Sequence, residues 1–126
     1  MEEKKYLKLN DIDAYLWSFH LSNYVWDIVI KWEWFPKKTV GSQFVEAIDS
    51  ISANIAEGFG RYHKKDKIKF YRYSQGSLKE SYDWNEKSKK RKLLTDEEYT
   101  HILNELKRIE SALRRLIKFT NDKLKF

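Results

Sequence analysis

The 126-residue chain has no cysteine, one proline and four glycines. Without cysteine, neither a disulfide nor a thiolate metal site can hold the fold, and no thiol can act as nucleophile. Proline occurs only at position 36 and glycine only at 41, 58, 60 and 76, too few turn residues for many short strands. Long hydrophobic runs are missing as well. The most apolar segment, Tyr24 to Phe35, is broken by Asp27, Lys31 and Glu33, so nothing there spans a bilayer. Met1-Glu2-Glu3-Lys4-Lys5 leads into no apolar run of signal-peptide type, and a cytoplasmic location is expected. Enzyme signatures are also lacking. There is no His-Glu-x-x-His, no phosphate-cradling glycine loop and no Gly-x-Ser-x-Gly, and His20, His63 and His101 lie far apart. Glu98-Tyr99-Thr100-His101 is a single Glu-x-x-His, whereas di-iron bundles use two copies and two further glutamates. A non-enzymatic protein without metal or cofactor is the expectation.

What is present is a series of long stretches whose apolar residues recur at helical spacing, enough for one domain with a single core. The pattern predicts an all-α, antiparallel up-down-up-down four-helix bundle, with helices at about 11–34, 42–60, 65–90 and 96–120. The first starts after Asn10 as N-cap and is stopped by Phe35-Pro36. Its expected buried line is Ile12, Leu16, Phe19, Trp26 and Ile30. In the second, Phe44, Ile48, Ile51, Ile55 and Phe59 step by 4, 3, 4 and 4. Tyr71, Ser74, Leu78 and Ser81 should face inward from the third. The fourth opens on a capping box, Thr95 with Glu98, and buries Tyr99, Ile102, Leu106, Ile109, Leu113, Leu116 and Ile117.

Small residues accompany the isoleucines of the second helix at Ser52, Ala53, Ala56 and Gly60. The third helix answers with Ser74, Gly76, Ser77 and Ser81, so the two are expected to approach closely along this seam. Gly76 in mid-helix costs about 1 kcal/mol relative to alanine, which implies that something packs on its bare backbone. Asn54 is expected to hydrogen-bond across a helix interface, and Glu57 to pair with Arg61 one turn on.

The block Ser50-Ile51-Ser52-Ala53-Asn54-Ile55-Ala56-Glu57-Gly58-Phe59-Gly60-Arg61 and the later Gly76-Ser77-Leu78-Lys79-Glu80-Ser81-Tyr82-Asp83-Trp84 together resemble a family signature. It is that of the four-helix-bundle 23S rRNA intervening-sequence proteins, and the likeness runs from about Trp26 to about Ile117. Asn54, Ala56, Glu57, Gly58, Gly60, Gly76 and Ser77 are the motif positions, read as structural. The chain departs from the usual pattern at Glu46, where a basic residue is expected, and at Asn85, where leucine is commoner. The resemblance implies ring-forming bundles, typically homopentamers. It also implies a likeness to the accessory variability determinant of diversity-generating retroelements, a basic pentameric barrel that binds nucleic acid and a reverse transcriptase. The chain itself, RNA or DNA, and a reverse transcriptase or other protein are therefore the expected partners, and a membrane is not.

Charge supports an anionic partner independently. Between Arg61 and Lys92 there are 12 Lys/Arg against 4 Asp/Glu, while the remainder holds 13 against 15. Lys65, Lys69, Arg72, Gly76, Lys79, Asp83 and Glu86 fall on one helical face, basic first and acidic later, the reverse of what the helix dipole prefers. Arg61, Lys65, Lys69 and Arg72 are expected to contact phosphate, assisted by Lys89, Lys90, Arg91 and Lys92. The alternative is an adaptor whose basic surface docks an acidic protein. Five tryptophans, eight tyrosines and seven phenylalanines exceed what one core can bury. On the first helix, Tyr15, Trp17, Tyr24, Trp26, Trp32 and Trp34 point in several directions, the composition of a protein interface.

Overall fold

A computed structural model describes residues 8–125; the expectation for Met1 to Lys5 lies outside them. Four long helices and no strand are found among the described residues: α1 (Asp13–Val29), α2 (Ser42–Phe59), α3 (Lys64–Lys90) and α4 (Asp96–Lys123). Each packs on two neighbours, α1 on α2 and α4, and α3 on α2 and α4. The core between them is aliphatic. Ile48, Ile51, Ile55, Leu106, Ile109 and Leu113 are fully buried, and Tyr71 fills the gap between α2 and α3.

The second, third and fourth helices follow their periodicity. Phe44 to Ile55, Tyr71 to Ser81 and Ile102 to Ile117 line the core as expected, with Phe59, Tyr99 and Leu116 half-buried at its edge. The capping box is formed: the Glu98 amide donates to Thr95 Oγ1 at 3.0 Å, and the Thr95 amide to Glu98 Oε1 at 2.9 Å.

The first helix differs in three ways. Its N-cap is Ile12 and not Asn10, which lies in a 3-10 turn at Leu9–Asp11 just before it. The helix ends at Val29 rather than at residue 34, and the chain turns through Lys31 to Glu33. Pro36 does not stop a helix but sits in the first turn of the next, Trp34–Pro36, which a π-turn at Lys37–Gly41 joins to α2. A proline is tolerated in that position because its missing N–H would have had no intrahelical acceptor. Ile12 is buried as expected, but the rest of the buried line is a different one: Ala14, Ser18, Leu21, Val25 and Val29 face inward, while Phe19, Trp26 and Ile30 are 44%, 52% and 42% exposed. An aromatic-rich helix carries more than one apolar line, and small Ala14 and Ser18 permit the closer approach.

The α2–α3 contact is close, but of the expected seam only Ser74 and Ser81 are buried in it. Ser74 Oγ donates to the Ile51 carbonyl at 2.8 Å inside the core, and Ser81 is buried beside it. The glycine at the contact is Gly58, where a Cβ would lie 2.7 Å from Tyr71 Cε1 and 2.9 Å from the Lys67 carbonyl. Gly76 is exposed, with nothing among the described residues within 4 Å of where its Cβ would be, so none of their backbone packs on it. Ser52, Ala53 and Ala56 lie off the line of buried isoleucines, Ala53 on the opposite side of the helix, and border a groove against α1 instead. Asn54 does not cross an interface either; its Nδ2 donates back to the Ser50 carbonyl at 2.9 Å on its own helix.

Asn85, the departure from the usual leucine, is fully buried. Its Nδ2 donates to the Tyr99 carbonyl at a long 3.3 Å, and its Oδ1 has no partner among the described residues. A buried unpaired acceptor is destabilising, and leucine has the same branched shape without it. Asn85→Leu is expected to raise stability by about 1 kcal/mol, read as a higher midpoint in thermal unfolding. An unchanged or lower midpoint would show that the oxygen is satisfied.

Candidate nucleic-acid interface

The basic residues between 61 and 72 divide into two groups once the helix ends are placed. Lys64 Nζ donates to the Asn121 carbonyl in the last turn of α4 at 3.0 Å, and Lys67 Nζ to the Phe59 carbonyl ending α2 at 2.7 Å. Cations on helix C-terminal carbonyls are structural. Partial burial there pushes the Lys67 ammonium's pKa down. Arg61 is partly engaged: it meets Glu57 at 2.6 Å, the expected pair, and its guanidinium lies 4.6 Å over the Phe70 ring. Lys65, Lys69 and Arg72 stand on the exposed face of α3.

A groove of about 660 Å³ runs between α3 and α4 beside Arg72. Arg72, Gln75, Ser111, Arg114, Arg115, Lys118 and Asn121 supply its polar lining, Ile68 and Ile117 its apolar floor, and no carboxylate among the described residues lines it. Arg115 is oriented by Ser111 Oγ at 2.7 Å, and Arg72 by Gln75 Oε1 at 3.3 Å. Carboxylates outside the groove hold two of its cations, Arg114 at 3.6 Å from Glu110 and Lys118 at 2.9 Å from Asp122. Among the described residues no carboxylate pairs with Lys65, Lys69, Arg72 or Arg115. The Tyr82 hydroxyl, donating at 2.7 Å, and then Lys79 and Arg114 hold the Glu110 carboxyl below the usual range, against a partial burial that raises it. Glu110 therefore stays ionised and fixes the acidic edge of this surface.

Arg114, Arg115 and Lys118 escaped the sequence reading, which counted charge along one helix. Their signal was an Arg-Arg pair and a lysine on the polar side of the Leu113, Leu116, Ile117 stripe. Which helix they would face is not a property of α4 alone.

The second basic cluster is at the far end of α3. Lys65 and Lys90 are separated by about 37 Å of helix at 1.5 Å per residue, so the clusters do not form one patch. Lys89 lies 3.7 Å from Asp96 and over the Tyr99 ring, Lys90 is exposed, and Arg91 borders a groove with Phe35, Pro36, Trp84 and Leu93. Lys92 takes the left-handed φ of 63°, and the Lys92 and Leu93 amides return to the Lys89 and Ser88 carbonyls, ending the helix in a Schellman turn. Of Tyr15, Trp17, Tyr24, Trp26, Trp32 and Trp34, only Trp26 and Trp34 are exposed, at 52% and 69%; Tyr15, Tyr24 and Trp32 are half-buried against the core, and Phe35 next to Trp34 is 67% accessible. Trp17 is instead covered by the Arg108 guanidinium at 3.8 Å. Glu98 is used in its cap and His101 stacks on Tyr24 at 4.4 Å. No group of three or more metal-ligating side chains exists among the described residues, and no helix there is long and apolar enough to cross a membrane.

Residues 10–115 match the family described as 23S rRNA-intervening sequence protein. A crystal structure of a protein with unknown function from the S23 ribosomal protein family of Bacteroides thetaiotaomicron has the same fold. The TM-score is 0.77 at 21% identity, over 88% of this chain and 99% of that one. No curated protein matches the sequence.

Proposed function

The chain belongs to the 23S rRNA-intervening sequence protein family, and from that starting point we propose a non-enzymatic, oligomeric bundle that binds nucleic acid weakly and without sequence preference. One observation carries this reading. Arg72 of α3 meets Arg114, Arg115 and Lys118 of α4 around a groove that no carboxylate among the described residues lines, and Lys65 and Lys69 are exposed on the same side of α3 as Arg72. Lys65 sits in the first turn of α3, at the positive end of its dipole, where the helix gains nothing from a cation. Phosphates would offset that cost, and arginines serve phosphate well because the guanidinium presents paired donors. Contacts of this kind read the backbone and not the bases, hence the lack of sequence preference. A strand long enough to follow α3 would also reach Lys89, Lys90, Arg91 and Lys92. The helices run up-down-up-down, a reading supported by Lys64 on the last turn of α4 and Asn85 on its first. Exposed Trp26, Trp34 and Phe35 suit contact with further copies, and a ring of five is the assembly the family likeness favours.

A salt titration tests the reading. Binding of a mixed-sequence RNA or DNA is expected to weaken as salt rises, with a log–log slope of roughly −4 for a single strand or −5 for a duplex if six phosphates are neutralised per subunit. Wild-type protein that ignores nucleic acid at low salt would end this reading.

An adaptor role is the second reading, favoured by a different place. A groove of about 720 Å³ beside the π-turn has an apolar floor of Phe35, Pro36, Val40, Trp84 and Leu93 and cationic edges at Lys38 and Arg91. Such a surface suits an acidic, amphipathic segment of another protein.

A further inference from the structure

We infer that the basic face of α3 is a stacking platform for an unpaired nucleic-acid strand, whose bases lie on Tyr73 and Tyr62 while its phosphates meet Lys65, Lys69 and Arg72. The inference rests on the nucleic-acid reading above and names the form of polymer that the surface takes.

Four features converge on this face. Tyr62 and Tyr73 are 77% and 49% exposed, in the stretch that also holds Arg61, Lys65, Lys69 and Arg72. Other tyrosines are committed: the Tyr82 hydroxyl donates to Glu110 and the Tyr99 hydroxyl to Glu86, and Tyr71 is buried with its pKa pushed up to about 12 by that burial. Tyr73 is also held in place. Phe70 meets it edge-on at 5.4 Å, and the Arg61 guanidinium in turn covers Phe70 at 4.6 Å. A supported ring loses little freedom when a base stacks on it.

The fourth feature is Gly76, one turn beyond both Arg72 and Tyr73. Glycine in an exposed helix interior costs about 1 kcal/mol against alanine, and none of the described residues uses the space it leaves. A base or ribose stacked beside Tyr73 could lie directly on that bare backbone. Duplex DNA hides its base faces within the stack, so aromatic rings alternating with cations favour single strands, to which stacking adds at each base. Gln75, Ser111 and Asn121 beside the arginines supply neutral hydrogen-bonding groups that a ribose 2′-hydroxyl can use.

The test measures binding of oligo(rA), oligo(dA) and a DNA duplex of matched length at one salt concentration, with 2-aminopurine placed in the single strands. Wild-type protein should favour the single strands and quench the 2-aminopurine. Tyr73→Ala and Tyr62→Ala should each weaken single-strand binding about ten-fold and reduce the quench, with duplex binding unchanged. Tyr73→Phe, which keeps the ring, should bind as wild type and so separates stacking from folding. Gly76→Leu should keep the fold and lose single-strand affinity. Tighter oligo(rA) than oligo(dA) binding would place RNA on the platform, and equal binding a strand of either sugar. If the duplex binds as well as the single strands and the tyrosine variants change nothing, the inference is overturned while the nucleic-acid reading stands. If none of the polymers binds, both fall.

Discussion

Gly58→Ala is expected to destabilise the bundle by about 2–3 kcal/mol, while Gly76→Ala stabilises it by about 1 kcal/mol. The two glycines belong to the same family motif, and their surroundings are opposite. At Gly58 an added methyl would meet the Tyr71 ring at 2.7 Å and the Lys67 carbonyl at 2.9 Å. Tyr71 is only 2% exposed and has no room to swing aside, and the carbonyl is backbone, so α2 and α3 must separate. At Gly76 the methyl meets nothing. In a domain of this size each kcal/mol moves the thermal midpoint by roughly 4 °C, so the variants should differ by more than 10 °C. Equal midpoints would mean that α2 and α3 are further apart than the structure places them.

Reversing Lys65, Lys69 and Arg72 to glutamate together should abolish nucleic-acid binding and leave the fold intact. Exposed cations of this kind contribute little to stability, and none of the three has a carboxylate partner among the described residues. Three added carboxylates on this face would repel phosphate, and the one at position 72 would also occupy the neighbouring Arg114 or Arg115. Reversal of Lys64 and Lys67 is the informative contrast. Those lysines cap α4 and α2, so their loss should lower the unfolding midpoint. Light scattering on the triple variant guards the conclusion. Loss of assembly alongside loss of binding would assign the stripe to a subunit contact.

The sequence by itself determined that the chain is helical, where three of the four helices lie and which of their faces are buried. Those properties are local. The 4, 3, 4, 4 spacing of Phe44 to Phe59 and the Thr95–Glu98 cap act within one or a few turns of a single helix, so the chain carries them wherever it folds. The family was legible for the same reason, since its signature is a run of neighbouring residues. Only the tertiary structure chose between the two apolar lines of α1, because both satisfy the helical period and only contact with α2 and α4 tells Leu21 and Val25 from Phe19 and Trp26. It also decided which glycine is crowded and which is open. It withdrew Lys64 and Lys67 from the basic surface and added Arg114, Arg115 and Lys118. Each of these outcomes depends on how one helix is rotated against another, and on carbonyls as distant in sequence as Asn121 is from Lys64. Helical periodicity within a single segment carries no information about either.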